Sequence, residues 1–219
     1  MIIKKTKIFI VDDHPIVRQG LRQLLDTTSD FFICGEADNV HSAMMGLKTS
    51  KPDAVIVDIS LKGSDGLELI KNIHIHHANI VILVLSIYDE NIYAERAIRA
   101  GAKGYIMKQE SASALLLALR QILNGGIYLS ENMKQLMLSK LTNHESTKPL
   151  AWLSDLSDRE LEIYRLIGQG FTNKKIALTL NLSVKTIEVH RENIKKKLAL
   201  KTSAELIISA SGYFAKELL

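Results

Sequence analysis

Val55-Ile-Val-Asp58 runs directly into Ile59-Ser-Leu-Lys-Gly63-Ser-Asp-Gly66. Three β-favouring apolar residues followed by a glycine-containing loop are typical of a short buried strand. The strand would place a carboxylate, Asp58, at its carboxyl end. Ligands of open parallel α/β sheets bind at that edge. The next question is therefore which other residues the fold would bring close to Asp58.

Apolar runs alternate with helical patterns on both sides of this strand. We predict strands at Lys7–Val11, Phe31–Ala37, Ala54–Asp58, Ile80–Ser86 and Gly104–Met107. We predict helices at Pro15–Leu25, Val40–Lys48, Leu67–Ile75, Asn91–Ala100 and Ser111–Asn124. Five β-α units indicate an α/β domain whose parallel sheet is covered by helices on both faces. The flavodoxin-like strand order 2-1-3-4-5 would make the first and third strands neighbours.

Polar side chains follow four of the predicted strands. Asp12 and Asp13 follow the first strand, so three carboxylates, including Asp58, should converge at one edge of the sheet. Carboxylates packed together need a neutralising charge, and a hard divalent cation such as Mg²⁺ is the economical answer. Ser86 ends the fourth strand and Lys108 follows the fifth, and they would add a hydroxyl and an ammonium group. Together these groups can hold a phosphoryl group.

The composition is that of an ordinary globular protein. Its 219 residues are 47% hydrophobic, which suits one large domain or two small ones. No apolar stretch reaches the roughly 18 residues of a membrane-spanning helix, and the N-terminus lacks a signal-peptide pattern. Cys34 is the only cysteine, which excludes a disulfide framework and favours the reducing cytoplasm.

The second part of the chain has a different character. We predict a helix at Glu131–Leu141 and a polar linker at Thr142–Pro149, so the predicted regions are a 1–128 domain, a 129–150 linker and a 151–219 domain. Residues 1–130 hold 14 basic and 14 acidic residues, whereas residues 131–219 hold 14 and 10. The whole surplus of positive charge therefore lies in the second part, which favours an anionic partner there.

Residues 151–219 are predicted to form four helices. Ser157 and Glu160 have the spacing of a capping box, and the next helices begin near Thr172, after Ser183, and at Ser203. Two short helices joined by a tight turn, the second one basic, describe a helix-turn-helix. We place the second of these helices at Val184–Leu198. Its cations are Lys185, Arg191, Lys195, Lys196 and Lys197, and they could neutralise DNA phosphates.

The polar residues at the strand ends resemble those of the receiver domain of two-component response regulators, over roughly residues 5–125. The resemblance implies that Asp58 accepts a phosphoryl group from a histidine kinase. It also implies that Asp13, Asp58 and the backbone carbonyl of Ser60 ligate Mg²⁺, with Asp12 acting mainly through water.

The same resemblance gives roles to three further residues. Lys108 would pair with the phosphoryl oxygens, and Ser86 would donate a hydrogen bond to one of them. Tyr105 matches the family's aromatic switch and would turn inward as Ser86 moves towards the phosphoryl group. The face formed by the fourth helix, the fifth strand and the fifth helix would then change.

Leu156–Leu206 is similar to the four-helix DNA-binding domain of the LuxR/NarL/FixJ class. The resemblance implies that the fourth helix pairs two copies on DNA. It implies DNA contacts from Thr172, Asn173, Lys174, Lys185, Thr186, Glu188, Val189, Arg191 and Lys195.

Two acids depart from the basic residues that this class often carries. Glu188 could accept a hydrogen bond from a cytosine amino group or serve the protein's own structure. Glu192 could do the same, although a salt bridge to Lys195 or Lys196 is the favoured interpretation.

Taken together, the sequence predicts a transcription regulator, not an enzyme. Phosphorylation of Asp58 would promote homodimerisation and binding to double-stranded DNA, with a cognate histidine kinase as the other partner and no membrane association. One alternative is an aspartyl-phosphate phosphatase, but Ser60 stands where such enzymes usually need a second acid. Another is a DNA-binding module that does not use phosphorylation, because Ile87 and Gln109 replace the small residue and the proline common in the family.

Overall fold

The computed structural model describes residues 5–61, 66–141 and 151–214. The chain divides into two compact units, Met1–Ser146 and Thr147–Leu219. The predicted linker at Thr142–Pro149 lies outside the described residues.

The first unit contains a five-stranded parallel sheet with the order β2-β1-β3-β4-β5. This is the predicted flavodoxin-like order. The strands are β1 (Thr6–Val11), β2 (Phe31–Ala37), β3 (Ala54–Val57), β4 (Val81–Ser86) and β5 (Gly104–Met107). The helices are α1 (Pro15–Asp26), α2 (Val40–Ser50), α3 (Gly66–His76), α4 (Glu90–Ala100), α5 (Ala112–Leu123) and α6 (Glu131–Leu141).

The strand and helix ends differ from the predicted ones by one or two residues, for identifiable reasons. Asp58 lies just beyond β3, although its backbone N–H still donates to the carbonyl of Val11 (2.8 Å). Ile80 closes a turn onto His77 (2.9 Å) and does not begin β4. Ser111 is the N-cap of α5 and lies outside the helix.

The apolar character of β3 follows from its central place in the sheet. Val55, Ile56 and Val57 are buried, because helices cover both faces and no face of the strand meets water. Fully burying an aliphatic side chain of this size stabilises the fold by about 1.5–3 kcal/mol. The strand that ends at the candidate site is therefore firmly anchored.

The chain after α5 returns to the edge of the sheet beside β5. Tyr128 bridges Gly104, accepting the backbone N–H of Tyr105 (3.0 Å) and donating to the carbonyl of Lys103 (2.9 Å). A Cβ on Gly104 would lie only 2.8 Å from a methyl carbon of Leu83 and 3.2 Å from the Tyr128 Cβ. This close approach lets the return segment reach β5.

Helix α6 packs on α4 within the first unit. Met133 is completely buried. The hydroxyl of Ser130 accepts the backbone N–H of Met133 (3.1 Å) and donates to the Glu90 carboxylate (2.6 Å). The predicted helix at Glu131–Leu141 therefore forms as an element attached to the first unit.

The second unit is helical, as predicted. A 3-10 helix at Ala151–Asp155 precedes α7 (Asp158–Gly168), α8 (Asn173–Thr179), α9 (Val184–Lys197) and α10 (Ser203–Phe214). The capping box of Ser157 and Glu160 forms at the start of α7. The predicted inward-facing residues of α7 are buried: Leu161, Tyr164, Leu166 and Ile167. Packing of α7 on α9 and α10, and of α8 on α9, builds this core.

Among the described helices of both units, none has the length and apolar character that crossing a membrane requires.

Candidate functional site

The predicted carboxylates meet at the carboxyl edge of the sheet. Val11 and Val57 are register partners in β1 and β3, so Asp12 and Asp58, the residues that follow them, emerge side by side. Both acids are buried. Asp13 and His14 complete a group in which one potential ligand atom from each residue lies within 4.8 Å of the others.

Lys108 joins two of these acids. Its Nζ lies 2.7 Å from Asp12 Oδ2 and 2.7 Å from Asp58 Oδ2. Burial disfavours the charged ammonium, but the negative charge of Asp58 and the hydrogen bonds to both carboxylates outweigh it and raise the Lys108 pKa. The backbone N–H of Lys108 donates to the carbonyl of Ser86 (2.8 Å), which fixes the base of the side chain. Lys108 therefore stays charged and partly neutralises the acidic cluster.

The other oxygen of Asp58 is held by Ser60. Asp58 Oδ1 accepts the backbone N–H of Ser60 (2.8 Å) and the Ser60 hydroxyl (2.5 Å). The family resemblance gave a role only to the backbone carbonyl of Ser60, and this hydroxyl contact was not predicted. The signal was a hydroxyl residue two positions after Asp58, a spacing at which side chain and backbone can meet in a tight turn.

Gly66, the first residue of α3, lies directly against the backbone of Ile59. A Cβ at Gly66 would lie 2.3 Å from Ile59 Cα and 2.6 Å from the Ile59 carbonyl oxygen. No side chain fits at that distance without a backbone shift. The first residue of α3 therefore presses directly on the backbone between Asp58 and Ser60.

Ser86, Tyr88 and Tyr105 form a connected group beside the acids. The Ser86 hydroxyl is buried and accepts the backbone N–H of Tyr88 (3.1 Å), while the Tyr105 hydroxyl donates to the Tyr88 carbonyl (2.7 Å). Tyr105 is only 1% exposed, so its ring already points inward. Burial raises the pKa of Tyr105 well above its usual value, which keeps the phenol a neutral donor.

His14 lies beside the acids, directly after Asp12 and Asp13 in the sequence. It occupies the N-cap position of α1, and its Nδ1 lies 2.8 Å from Asp13 Oδ1 and 3.2 Å from Asp12 Oδ1. Its backbone N–H donates to Asp12 Oδ1 (2.7 Å).

The two departures from the family pattern leave the geometry of the cluster intact. Ile87 is 48% exposed. The described residues contain no cis peptide bond, so the bond between Lys108 and Gln109 is trans. Lys108 nevertheless reaches both carboxylates.

The donor set suits a hard metal ion. Asp12, Asp13 and Asp58 supply carboxylate oxygens, which Mg²⁺ and Ca²⁺ prefer over nitrogen or sulfur. The group can therefore hold a divalent cation, whose charge would balance the acids together with Lys108.

The second candidate site is the outer surface of α8 and α9. Thr172 caps α8 by accepting the Lys175 N–H (3.3 Å), and Ser183 caps α9 by accepting the Thr186 N–H (3.0 Å). None of the nine residues predicted to contact DNA is buried. The exposed ones are Thr172, Lys174, Lys185, Glu188 and Val189; the partly exposed ones are Asn173, Thr186, Arg191 and Lys195.

The structure distinguishes among the charged residues of α9. Glu192 forms an ion pair with Lys195 (2.9 Å), one of the two partners expected from the sequence. Lys197 was counted among the phosphate-binding cations, but its Nζ lies 2.6 Å from Glu160 Oε2. Its ammonium instead ties α9 to the capping box of α7. The sequence did not reveal this contact because the two residues are 37 positions apart.

Burial disfavours the Glu160 carboxylate, but hydrogen bonds from Lys197 and Ser157 lower its pKa below the usual value. Glu160 is therefore buried and ionised, and its negative charge is stabilised by Lys197 and Ser157.

Comparisons with known proteins find a matching family model for each part of the chain. The family model of the response regulator receiver domain matches residues 8–120, and that of the luxR family of bacterial regulatory proteins matches residues 154–210. The oxygen regulatory protein NreC of Staphylococcus haemolyticus is 36% identical over 205 residues, covering 92% of this chain and 94% of NreC.

Two solved structures are similar over most of the chain. The RcsB response regulator of Salmonella typhimurium has a TM-score of 0.73 at 26% identity, covering 95% of this chain and 98% of the other. RcsB from Salmonella enterica serovar Typhimurium, bound to promoter rprA in the presence of the phosphomimetic BeF3⁻, has a TM-score of 0.69 at 27% identity, covering 95% and 99%. The chain therefore belongs to the two-component response regulators that join a receiver domain to a luxR-family DNA-binding domain.

Proposed function

We propose that this response regulator is phosphorylated on Asp58 by a cognate histidine kinase, and that the phosphoryl group controls its dimerisation and its binding to DNA. The observation that carries the proposal is the double contact of Lys108 with Asp12 and Asp58. The Lys108 ammonium already neutralises carboxylate oxygens of Asp12 and Asp58. It can therefore pair with the oxygens of a phosphoryl group that is transferred to Asp58.

The proposed reaction is a transfer from phosphohistidine. An oxygen of Asp58 attacks the phosphorus, the new P–O bond forms as the P–N bond breaks, and the imidazole leaves with that electron pair. Lys108 shifts from Asp58 Oδ2 to a phosphoryl oxygen. Asp12, Asp13, Asp58 and the backbone carbonyl of Ser60 would hold Mg²⁺, which would supply positive charge beside the transferred group.

Ser86 and Tyr105 would report the phosphoryl group. If the Ser86 side chain rotates so that its hydroxyl donates to a phosphoryl oxygen, the hydroxyl oxygen moves away from the N–H of Tyr88 that it now accepts. The β4–α4 loop can then change. The Tyr88 ring contacts the Tyr93 ring of α4, with 4.9 Å between centroids. A change at Tyr88 would therefore shift α4, a two-state element biased by a local charge.

The output would be DNA binding by α8 and α9, with α9 in the major groove. Helix α10 would pair two copies of the DNA-binding domain. Ile207 and Ile208 are 46% and 72% exposed on α10, which is the apolar surface that such pairing would cover. A two-fold dimer implies an operator with two half-sites.

Two further proposals follow from the same argument. A regulator that binds chromosomal DNA and receives its phosphoryl group from a kinase would work in the cytoplasm.

We expect no turnover of external phosphomonoesters, since Ser60 cannot act as the second acid that an aspartyl-phosphate phosphatase requires.

The phosphoacceptor is tested by incubating the full chain with Mg²⁺ and acetyl phosphate and measuring the intact mass. We expect the wild type and Asp53→Asn to gain one phosphoryl group and Asp58→Asn to gain none. Asp53 is the matched control, because it precedes β3 at the opposite end of the strand and its carboxylate accepts the Lys7 N–H (2.7 Å). Equal labelling of Asp58→Asn, or no labelling of the wild type, would contradict the proposal.

A further inference from the structure

Two glutamates lie one turn apart on α9 and differ in their partners. Glu192 pairs with Lys195 at 2.9 Å. Within the described parts of the chain, Glu188 forms neither a hydrogen bond nor an ion pair. Its side chain is exposed. The structural role that accounts for Glu192 therefore does not account for Glu188.

Glu188 lies on the side of α9 that does not pack against the core of its domain. Ile187 and Ile194 are completely buried and fix which side of the helix faces inward. Lys185 and Glu192 are exposed neighbours of Glu188 at helical spacing. Val189, the next residue along the helix, is exposed as well. Glu188 is in the first half of α9, the half that enters the major groove in helix-turn-helix proteins.

An unpaired carboxylate is unfavourable on a helix that approaches DNA, because the phosphates repel it. The repulsion is offset if the carboxylate accepts a hydrogen bond from a base. In the major groove only adenine and cytosine present amino donors, and the adenine amino group lies beside the N7 acceptor, which repels a carboxylate. Cytosine presents the N4 amino group without such a neighbour. A glutamate here therefore favours cytosine.

We propose that Glu188 is a specificity-determining residue that selects a cytosine at one fixed position of each half-site by accepting a hydrogen bond from its N4 amino group. This inference rests on the proposed DNA-binding role of α9. It adds a base preference to that role, and it assigns different tasks to the two acids of the helix.

The test is a selection of bound duplexes from a randomised DNA library. The full chain is used with Mg²⁺ and BeF3⁻, as the wild type, as Glu188→Ala and as the matched control Glu192→Ala. Both acids are exposed, so neither substitution disturbs the core, and thermal unfolding confirms that each variant is folded. Affinity is then measured on the selected duplex and on one in which the preferred C·G pair is replaced by T·A.

We expect the wild type and Glu192→Ala to prefer the C·G duplex by about 5- to 150-fold, the range of one good base contact. Glu188→Ala should lose this preference at that position alone. It should also bind other sequences more tightly, since a like charge has been removed.

A cytosine preference that persists in Glu188→Ala, or its absence from the wild type, would overturn the inference while leaving DNA binding intact. A uniform gain of affinity with an unchanged base preference would overturn it too, because it would mean that Glu188 only repels phosphates. If the wild type enriched no sequence, DNA recognition by α9 would itself be overturned, and the inference with it.

Discussion

The hydroxyl of Ser130 donates a 2.6 Å hydrogen bond to the Glu90 carboxylate and accepts the backbone N–H of Met133 at 3.1 Å. One side chain thus caps α6 and ties it to the first turn of α4. Glu90 directly follows Asp89, the N-cap of α4, and lies two residues after Tyr88. The β4–α4 loop, which would respond to phosphorylation, is therefore connected to α6 through Glu90 and Ser130.

Replacing Ser130 by alanine should loosen α6. The change removes an N-cap, which is worth about 1 kcal/mol, and it also breaks the contact with Glu90. We expect faster amide hydrogen exchange in α6 than in the wild type. Ser139→Ala is the control on the same helix, because Ser139 lies inside α6 and its hydroxyl donates to the carbonyl of Leu136 (2.9 Å). Equal exchange in both variants would show that Ser130 does not hold α6.

Replacing Lys108 by methionine should destabilise the receiver domain and increase its response to metal. Removing one partner from a buried ion pair destabilises by roughly 3–5 kcal/mol, and here two carboxylates lose their cation. Mg²⁺ can then take its place, so adding Mg²⁺ should raise the melting temperature of Lys108→Met more than that of the wild type.

Lys103→Met is the control for that experiment, since its side chain is exposed in the turn before β5. It should respond to Mg²⁺ like the wild type. If Mg²⁺ stabilised Lys108→Met no more than the wild type, the ion would not take the place of the Lys108 ammonium in the acidic cluster.

Replacing Gly66 by alanine should slow phosphorylation of Asp58. The added Cβ would lie 2.3 Å from Ile59 Cα, so the loop that carries Asp58 and Ser60 must shift. Gly20→Ala is the opposite case, because Gly20 is an exposed residue of α1 and a Cβ there would meet nothing within 4 Å. It should stabilise the domain by up to about 1 kcal/mol. The labelling rate with acetyl phosphate, measured for both variants, checks this; an unchanged rate in Gly66→Ala would contradict it.

The strand ends could be predicted because the pattern is local. Buried parallel strands are continuous apolar runs, and the polar residue after each run, such as Asp58 or Ser86, falls at the same edge of the sheet. The capping box of Ser157 and Glu160 was equally accessible, since both partners are three residues apart. Contacts between distant residues were not accessible: Lys197 with Glu160 and Ser130 with Glu90 depend on how the helices pack.

The conformation of Tyr105 also needed the structure. The sequence identified it as a switch residue but could not determine which way its ring points. The structure holds the ring inward through the hydrogen bond to the Tyr88 carbonyl. The partners of Ser86 and of the Ser60 hydroxyl likewise depend on backbone geometry in two loops, which no periodic pattern encodes.

The stability of the DNA-binding domain should depend on pH through Glu160. Its pKa lies below the ordinary value of 4.5 in the folded state. Its contribution is therefore complete above that ordinary value and is lost as the pH falls through the folded value. Glu160→Gln should lower the free energy of unfolding by about 1–3 kcal/mol at pH 7, and the difference from the wild type should shrink below pH 4.5.

Urea unfolding followed by tryptophan fluorescence measures this effect. Trp152 is the only tryptophan of the chain, and its ring lies 6.0 Å from that of Tyr164 in the same domain. Glu188→Gln is the control, because this exposed glutamate has no partner among the described residues. A pH-independent difference between Glu160→Gln and the wild type would rule out the charge of Glu160 as the cause.

In the proposed function, the state of Asp58 controls DNA binding. It is tested by the affinity of the full chain for its selected duplex, with and without acetyl phosphate and Mg²⁺, for the wild type and Asp58→Asn. We predict that phosphorylation tightens binding by the wild type at least about tenfold, equivalent to 1.4 kcal/mol, and leaves Asp58→Asn unchanged. Equal affinities for both proteins in both conditions would contradict the account.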